Sequence, residues 1–183
     1  MVLIIIGGVI ALSVAINAIF KLYHKLTHDD HRLQPVRTMP VGAIGWTQDS
    51  ISSRVYNVTL DSHVEIQAIV DAALSDPRGA LAFMREHFPD PIRIFDSGKN
   101  GFLSIDNRRL AIFRMVLSSE IQIPVRVLTR EQAGQALLQS PDGVDPKAAS
   151  DALHRRCTTR DGGFSIMIRG PQRTVISNGC STN

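Results

Sequence analysis

The chain has little cysteine, no internal repeat and, near its start, no charge. Cys157 and Cys180 are its two cysteines, too few for the disulfide framework that staples small secreted domains. In a cytoplasmic body they are expected as free thiols, and in an extracytoplasmic one they could pair. No block of lysines and arginines with interleaved aromatic residues is present. The net charge of +3 is therefore weak support for a nucleic-acid surface.

The absence of charge is concentrated in residues 2–20, VLIIIGGVIALSVAINAIF, where Ser13 and Asn17 are the polar interruptions. As a helix this run rises about 28 Å, close to a bilayer core of about 30 Å. A transmembrane helix over 2–20 is the expectation. A cleavable signal peptide, with Ala15 and Ala18 as small residues for cleavage, is the competing reading. Lys21, Lys25, Arg32 and Arg37 follow the run and no Lys or Arg precedes it. The positive-inside rule then places a single-pass protein with its C-terminal domain in the cytoplasm. Gly7, Ala11 and Ala15 recur on one helical face, which would suit a homodimer through close helix approach.

Residues 21–45 carry Pro35, Pro40, Gly42 and Gly45 among charges and read as a juxtamembrane tether. Within it, His24, His28 and His31 stand beside Asp29 and Asp30 at i, i+4 spacings that suit a metal ion. Such residues are ordinary in a solvated segment, and no metal site is assigned.

The globular body is expected over 46–183. An extended element is read around Ile51–Tyr56. DSHVEIQAIVDAAL has helical spacing, with Asp61 or Ser62 as cap and Glu65 completing a capping box with Ser62. GALAFMREHF gives a second helix, ended by Pro89 and Pro91. PIRIFD (91–96) and GFLSI (101–105) read as a β-hairpin around the turn SGKNG. A buried helix over 107–119 follows, then the strand IPVRVLT (123–129), with Thr129 capping a helix through Leu138. Asp145-Pro146 opens another helix to about Arg156, beyond a loop at 140–146. GFSIMIRG and RTVISN form a last hairpin turning at Gly170-Pro171. The body is thus a mixed α/β (α+β) domain.

The order strand, turn, strand, Asp-Asn-Arg-Arg, helix carries the chemistry. Asp106 suits an N-cap, which puts Asn107, Arg108 and Arg109 in the first helical turn. Free backbone N–H groups and two guanidinium groups make an anion site there, with phosphate the natural ligand. The plainer reading is an i, i+3 ion pair between Asp106 and Arg109, with Arg108 in water. Asp96, Asp106 and Glu131 lie nearest in sequence as general bases. Cys157 follows Arg155-Arg156, which would lower its pKa. His63, His87 and His154 are isolated.

PIRIF, GFLSIDNRRLAIF and IPVRVLTREQA resemble the ParB/sulfiredoxin-like superfamily. More closely, the chain is similar to ParB-like domains at the C-termini of bacterial polymorphic and Rhs-type toxins. DSISSRV and CTTRDGGFSIMIRG resemble elements flanking that core, so the likeness spans about residues 46–170. It implies nucleotide-phosphate binding at Asp106, Asn107, Arg108 and Arg109, and at Ser52, Ser53 and Arg54. The cofactor it implies is a nucleoside triphosphate with a divalent metal ion. Nuclease, nucleotide hydrolase, phosphotransferase or toxin activity also comes from the resemblance alone. Arg169, with Thr158, Thr159 and Arg160, falls in the segment matching those toxin domains. Asn107 stands where sulfiredoxins need a cysteine, which removes their redox chemistry. The motif also lacks the glycine of the ParB proteins, which weakens the case for CTP. The competing reading is a non-catalytic, membrane-anchored interaction module.

Overall fold

The computed structural model describes residues 34–57, 62–138, 145–170 and 173–177. Among these are ten strands, five α-helices and a 3-10 turn at Val41–Ala43. β1 (Val36–Pro40), β2 (Gly45–Trp46), β3 (Ser50–Ser52), β4 (Arg54–Asn57) and β5 (Ser62–Glu65) lead into α1 (Ile66–Ser75) and α2 (Ala80–His87). Then come β6 (Ile92–Asp96), β7 (Phe102–Ser104), α3 (Asn107–Val116), β8 (Gln122–Leu128), α4 (Arg130–Leu138), α5 (Pro146–Arg156), β9 (Ser165–Arg169) and β10 (Thr174–Ser177).

The main sheet runs β1-β8-β6-β7-β2, the second β10-β9-β3, and β4 pairs with β5 alone. β6 and β7 form the expected antiparallel hairpin, and β8 returns parallel to β6. A parallel return needs a crossover, which α3 supplies. Alternation along β6 sends its side chains to two cores. Ile92 and Ile94 join Ile123 and Val125 of β8 beneath Leu110, Ile112 and Phe113 of α3 and Ile66 and Val70 of α1. Phe95 joins Leu103, Leu128, Ala133 and Leu153 in a second cluster, with α4 and α5. Arg93 shares the Phe95 side of the strand.

Several expectations are met. Thr129 accepts from the Gln132 N–H at 3.1 Å while Gln132 Oε1 accepts from the Thr129 N–H at 2.9 Å, a reciprocal cap on α4. Asp145 caps α5 through the Lys147 N–H at 3.1 Å, with Pro146 in its first turn. β9 and β10 pair antiparallel.

Others are corrected. Among the described residues no helix is long and apolar enough to cross a membrane. The fold described is a mixed α/β domain, and the expected single-pass membrane location finds no support among the described residues. The run 2–20, its Gly7, Ala11 and Ala15 face and the histidines at 24, 28 and 31 lie outside the described residues. Residues 36–45, read as tether, are folded: β1 pairs with β8 from Val36↔Arg126 to Pro40↔Gln122. Val41 and Ile44 are fully buried. Arg114 Nη2 donates to the Gly42 and Ile44 carbonyls at 2.9 and 2.8 Å, and its guanidinium lies 5.6 Å from the Trp46 ring. Burial there pulls the Arg114 pKa down to about 10.

The Ser62–Glu65 capping box does not form. Those residues are β5, paired with β4 from Arg54↔Glu65 to Asn57↔Ser62. Helix α1 therefore starts at Ile66, whose N–H donates to the Ser53 carbonyl at 2.7 Å. The single extended element at 51–56 is two strands, because β3 pairs with β9 and β4 with β5. Helix α3 stops at Val116, short of 119, where the chain turns to the β1–β2 connection. The Ser119 and Ile121 carbonyls accept from the Gly42 and Val41 N–H groups at 2.8 and 2.9 Å.

Candidate functional site

Asp106 occupies the N-cap position of α3, but its side chain makes no capping bond. The carboxylate turns to Arg93 instead. It accepts from the Arg93 backbone N–H at 2.9 Å, from Nε at 3.0 Å and from Nη2 at 2.5 Å. The Asp106 side chain is 7% exposed and that of Arg93 33%. These bonds outweigh the cost of burial and hold the Arg93 pKa above the usual arginine range. The Asp106 N–H donates to Ser104 Oγ at 3.0 Å, which fixes the turn.

Asn107 is fully buried and fully engaged. Its Nδ2 donates to Thr47 Oγ1 at 2.7 Å and Gln48 Oε1 at 3.1 Å, and its Oδ1 accepts from the Thr47 N–H at 3.3 Å. Thr47 Oγ1 passes the chain on to the Ser104 carbonyl at 2.8 Å. The Asn107 side chain thus ties α3 to the segment after β2.

The paired arginines diverge. Arg108 is exposed, and its Nη1 donates to the Arg54 carbonyl at 3.1 Å. Arg109 is 23% exposed; its Nη2 donates to the Asp90 carbonyl, and its Nη1 stands 3.9 Å from Asp106. The i, i+3 pair weighed from the sequence therefore exists, at its outer limit. Burial pulls the Arg109 pKa down, Asp106 and Asp90 oppose this, and Arg93 adds to the fall.

Two further cations were missed in the sequence. Arg93 sits between Ile92 and Ile94, where a charge in a buried strand was the available signal. Arg156 ends α5, and its Nη2 reaches the Ile105 carbonyl at 3.5 Å while its buried Nε has no hydrogen-bond partner. Burial depresses its pKa first, and the nearby Arg108 and Arg93 depress it further against Asp106. Arg93, Arg109 and Arg156 thus converge on one carboxylate from β6, α3 and α5, and Arg108 stands near Arg156 at the rim.

The remaining candidates serve this junction indirectly or stand apart. Ser52 is exposed, and its Oγ accepts from the Arg54 N–H at 3.2 Å. Ser53 donates its N–H to the Arg169 carbonyl at 2.9 Å. The Arg54 guanidinium turns to Glu65 at 2.6 Å, so its backbone carbonyl, not its charge, meets Arg108. The Thr158 N–H donates to the Thr47 carbonyl at 2.8 Å, and the Arg160 N–H to Asp49 Oδ1 at 2.8 Å, bracing the segment that holds Asn107. Thr159 belongs to a local turn, where its hydroxyl donates to Asp161 at 2.9 Å and accepts from the Gly163 N–H at 2.7 Å. The Arg169 side chain is exposed on β9.

Asp96 accepts from the Gly98 N–H at 2.7 Å in the β6–β7 turn, and the exposed Glu131 faces Gln135 at 3.4 Å along α4. Burial raises the Cys157 pKa, with Arg130 and Arg156 opposing, so the expected activation of this thiol does not occur. His63 lies against Tyr56 with ring centres 5.5 Å apart, His87 against Phe83 at 4.2 Å, and His154 is exposed on α5. Cys180 lies outside the described residues. Among the described residues no group of three or more His, Cys, Asp or Glu is placed to hold a metal ion. Comparison of the chain with protein-family models, with curated proteins and with solved structures finds no match in any of the three.

Proposed function

We propose that this protein binds a phosphate group, carried by a nucleotide or a nucleic acid, at the junction of β6, α3 and α5. The observation that supports it is the gathering of Arg93, Arg109 and Arg156 around the single carboxylate of Asp106, with the exposed Arg108 near Arg156. Arg109 feels Arg93, and Arg156 feels Arg108 and Arg93, each in addition to burial, and an anion at this junction relieves those costs. Each guanidinium carries five N–H donors in a fork suited to phosphate oxygens. The first turn of α3, uncapped by Asp106, adds backbone N–H groups and the positive end of the helix dipole.

In this reading Arg108 is the exposed first contact, Arg109 and Arg156 close on the anion, and Asp106 positions Arg93. Binding without catalysis is favoured by Asp106, whose carboxylate is taken up by three donors of Arg93. The ParB-like likeness agrees with a phosphate ligand and adds nothing about reaction. Calorimetric titration with ATP, and separately with a single-stranded oligonucleotide, tests the proposal. Arg108→Ala is expected to weaken the ligand that binds at least tenfold with unchanged folding. Equal affinity in the variant would refute the site.

A further inference from the structure

A cavity of about 310 Å³ lies beside α3, lined by the apolar Ile66, Met115 and Ile168 and by the polar Ser53, Glu65, Gln67 and Thr174. Arg108 and Met115 are seven positions apart on α3, so about 10 Å of helix separates this cavity from the arginine junction. We propose that it is a second ligand site, for a small organic ammonium compound with an apolar body of one or two rings.

Size and wall chemistry both lead there. The volume is about twice the roughly 150 Å³ in which an apolar cavity takes benzene, and it reaches the lower bound of ordinary ligand pockets at about 300 Å³. Ile66 and Ile168 are 1% and 5% exposed, so the floor is built from the main core rather than from loose surface chains. Among the described lining residues Glu65 is the one that carries a formal charge. Glu65 is ionised, its pKa held below the usual carboxylate range by bonds from Arg54 and then Ser53. An ionised carboxylate only accepts, with about four lone-pair sites, and Arg54 Nε uses Oε1 at 2.6 Å. Gln67 gives one N–H of Nε2 to Asp71 at 2.8 Å and keeps its amide oxygen as a neutral acceptor beside Glu65. Among the described residues no lysine or arginine lines the cavity. An N–H-rich cation on an apolar ring satisfies both the wall and the floor, whereas a carboxylate on the same ring meets Glu65 directly.

The full-length protein, labelled at its Ile and Met methyl groups, is titrated with tryptamine and with indole-3-acetate, which share a ring and differ in charge. Tryptamine is expected to give saturable shifts at Ile66, Met115 and Ile168 and to bind at least tenfold tighter than indole-3-acetate. Thr174→Trp, which puts a large ring at an exposed lining position, abolishes those shifts, and Glu65→Gln weakens binding about tenfold. Failure of both compounds to bind, equal affinity for the two, or full binding to Thr174→Trp would each overturn the proposal. Arg93, Arg108, Arg109 and Arg156 play no part in this test, so loss of phosphate binding at their junction leaves it standing.

Discussion

The side chain of Asn107 is engaged entirely inside the protein, although it stands in the middle of the motif that the sequence marks as a ligand site. The spacing correctly placed it in the first turn of α3, but spacing carries no information about Thr47 and Gln48, which lie about sixty positions away and supply its partners. The same limit hid Arg93 and Arg156, whose meeting at Asp106 depends on the fold. Arg108 and Arg109, by contrast, were legible because an unpaired charge at a helix start is conspicuous on its own. Asn107→Ala leaves the buried Thr47 N–H without its acceptor and is expected to cost about 1–3 kcal/mol. Urea unfolding measures this, and a variant as stable as the parent would show that the tie is idle. Asp76 gives a residue-scale test in pH. Bonds from the Arg78 side chain and N–H hold its pKa down to about 2, against an ordinary 3.8. Its stabilisation is present in full above the ordinary value and is lost as pH falls from about 4 towards 2. Unfolding midpoints of the parent and Asp76→Asn are therefore expected to differ at neutral pH and to converge over that interval.

Elements with a strong local signal formed where the sequence put them. The β6–β7 hairpin, the Thr129 and Asp145 caps and the helices they start each depend on residues within a few positions. The departures came where pairing at a distance competed with a local preference. Ser62 and Glu65 spell a capping box, but β4 takes their backbone into a ladder and Arg54 takes the Glu65 carboxylate. The Pro35–Gly45 stretch has the composition of a linker, yet β8 recruits its middle as an edge strand, where proline is tolerated at the end of a ladder. Between α4 and α5 the helices close on a glycine. A Cβ added at Gly134 would stand 2.1 Å from the Ala149 carbonyl oxygen. Glycine to alanine inside a helix ordinarily gains about 1 kcal/mol, whereas forcing two packed backbones apart costs about 1–3 kcal/mol. Gly134→Ala is thus expected to lower the thermal midpoint, and a raised midpoint would mean that the helix pair is looser than described.

For the whole molecule, the sheet and its two cores bring cations from three distant elements to one end of α3, and no local stretch of sequence announces that convergence. The apolar run at 2–20, the most conspicuous sequence feature, lies outside the described residues, while β1 ties the chain into the domain from Val36 onward. A protein beginning at residue 34 is expected to be more stable than one beginning at Trp46, which lacks β1 and the buried Val41 and Ile44. Comparing their denaturant midpoints checks this, and equal midpoints would reduce β1 to an ornament on the sheet. The most direct measurement is a calorimetric titration of ATP into the parent and into Arg108→Ala/Arg109→Ala, at low and at physiological salt. A phosphate site predicts saturable binding to the parent that weakens with salt and is lost in the double variant while its circular dichroism is unchanged. Absence of binding by the parent to both ATP and a single-stranded oligonucleotide, or undiminished binding by the folded double variant, would contradict it.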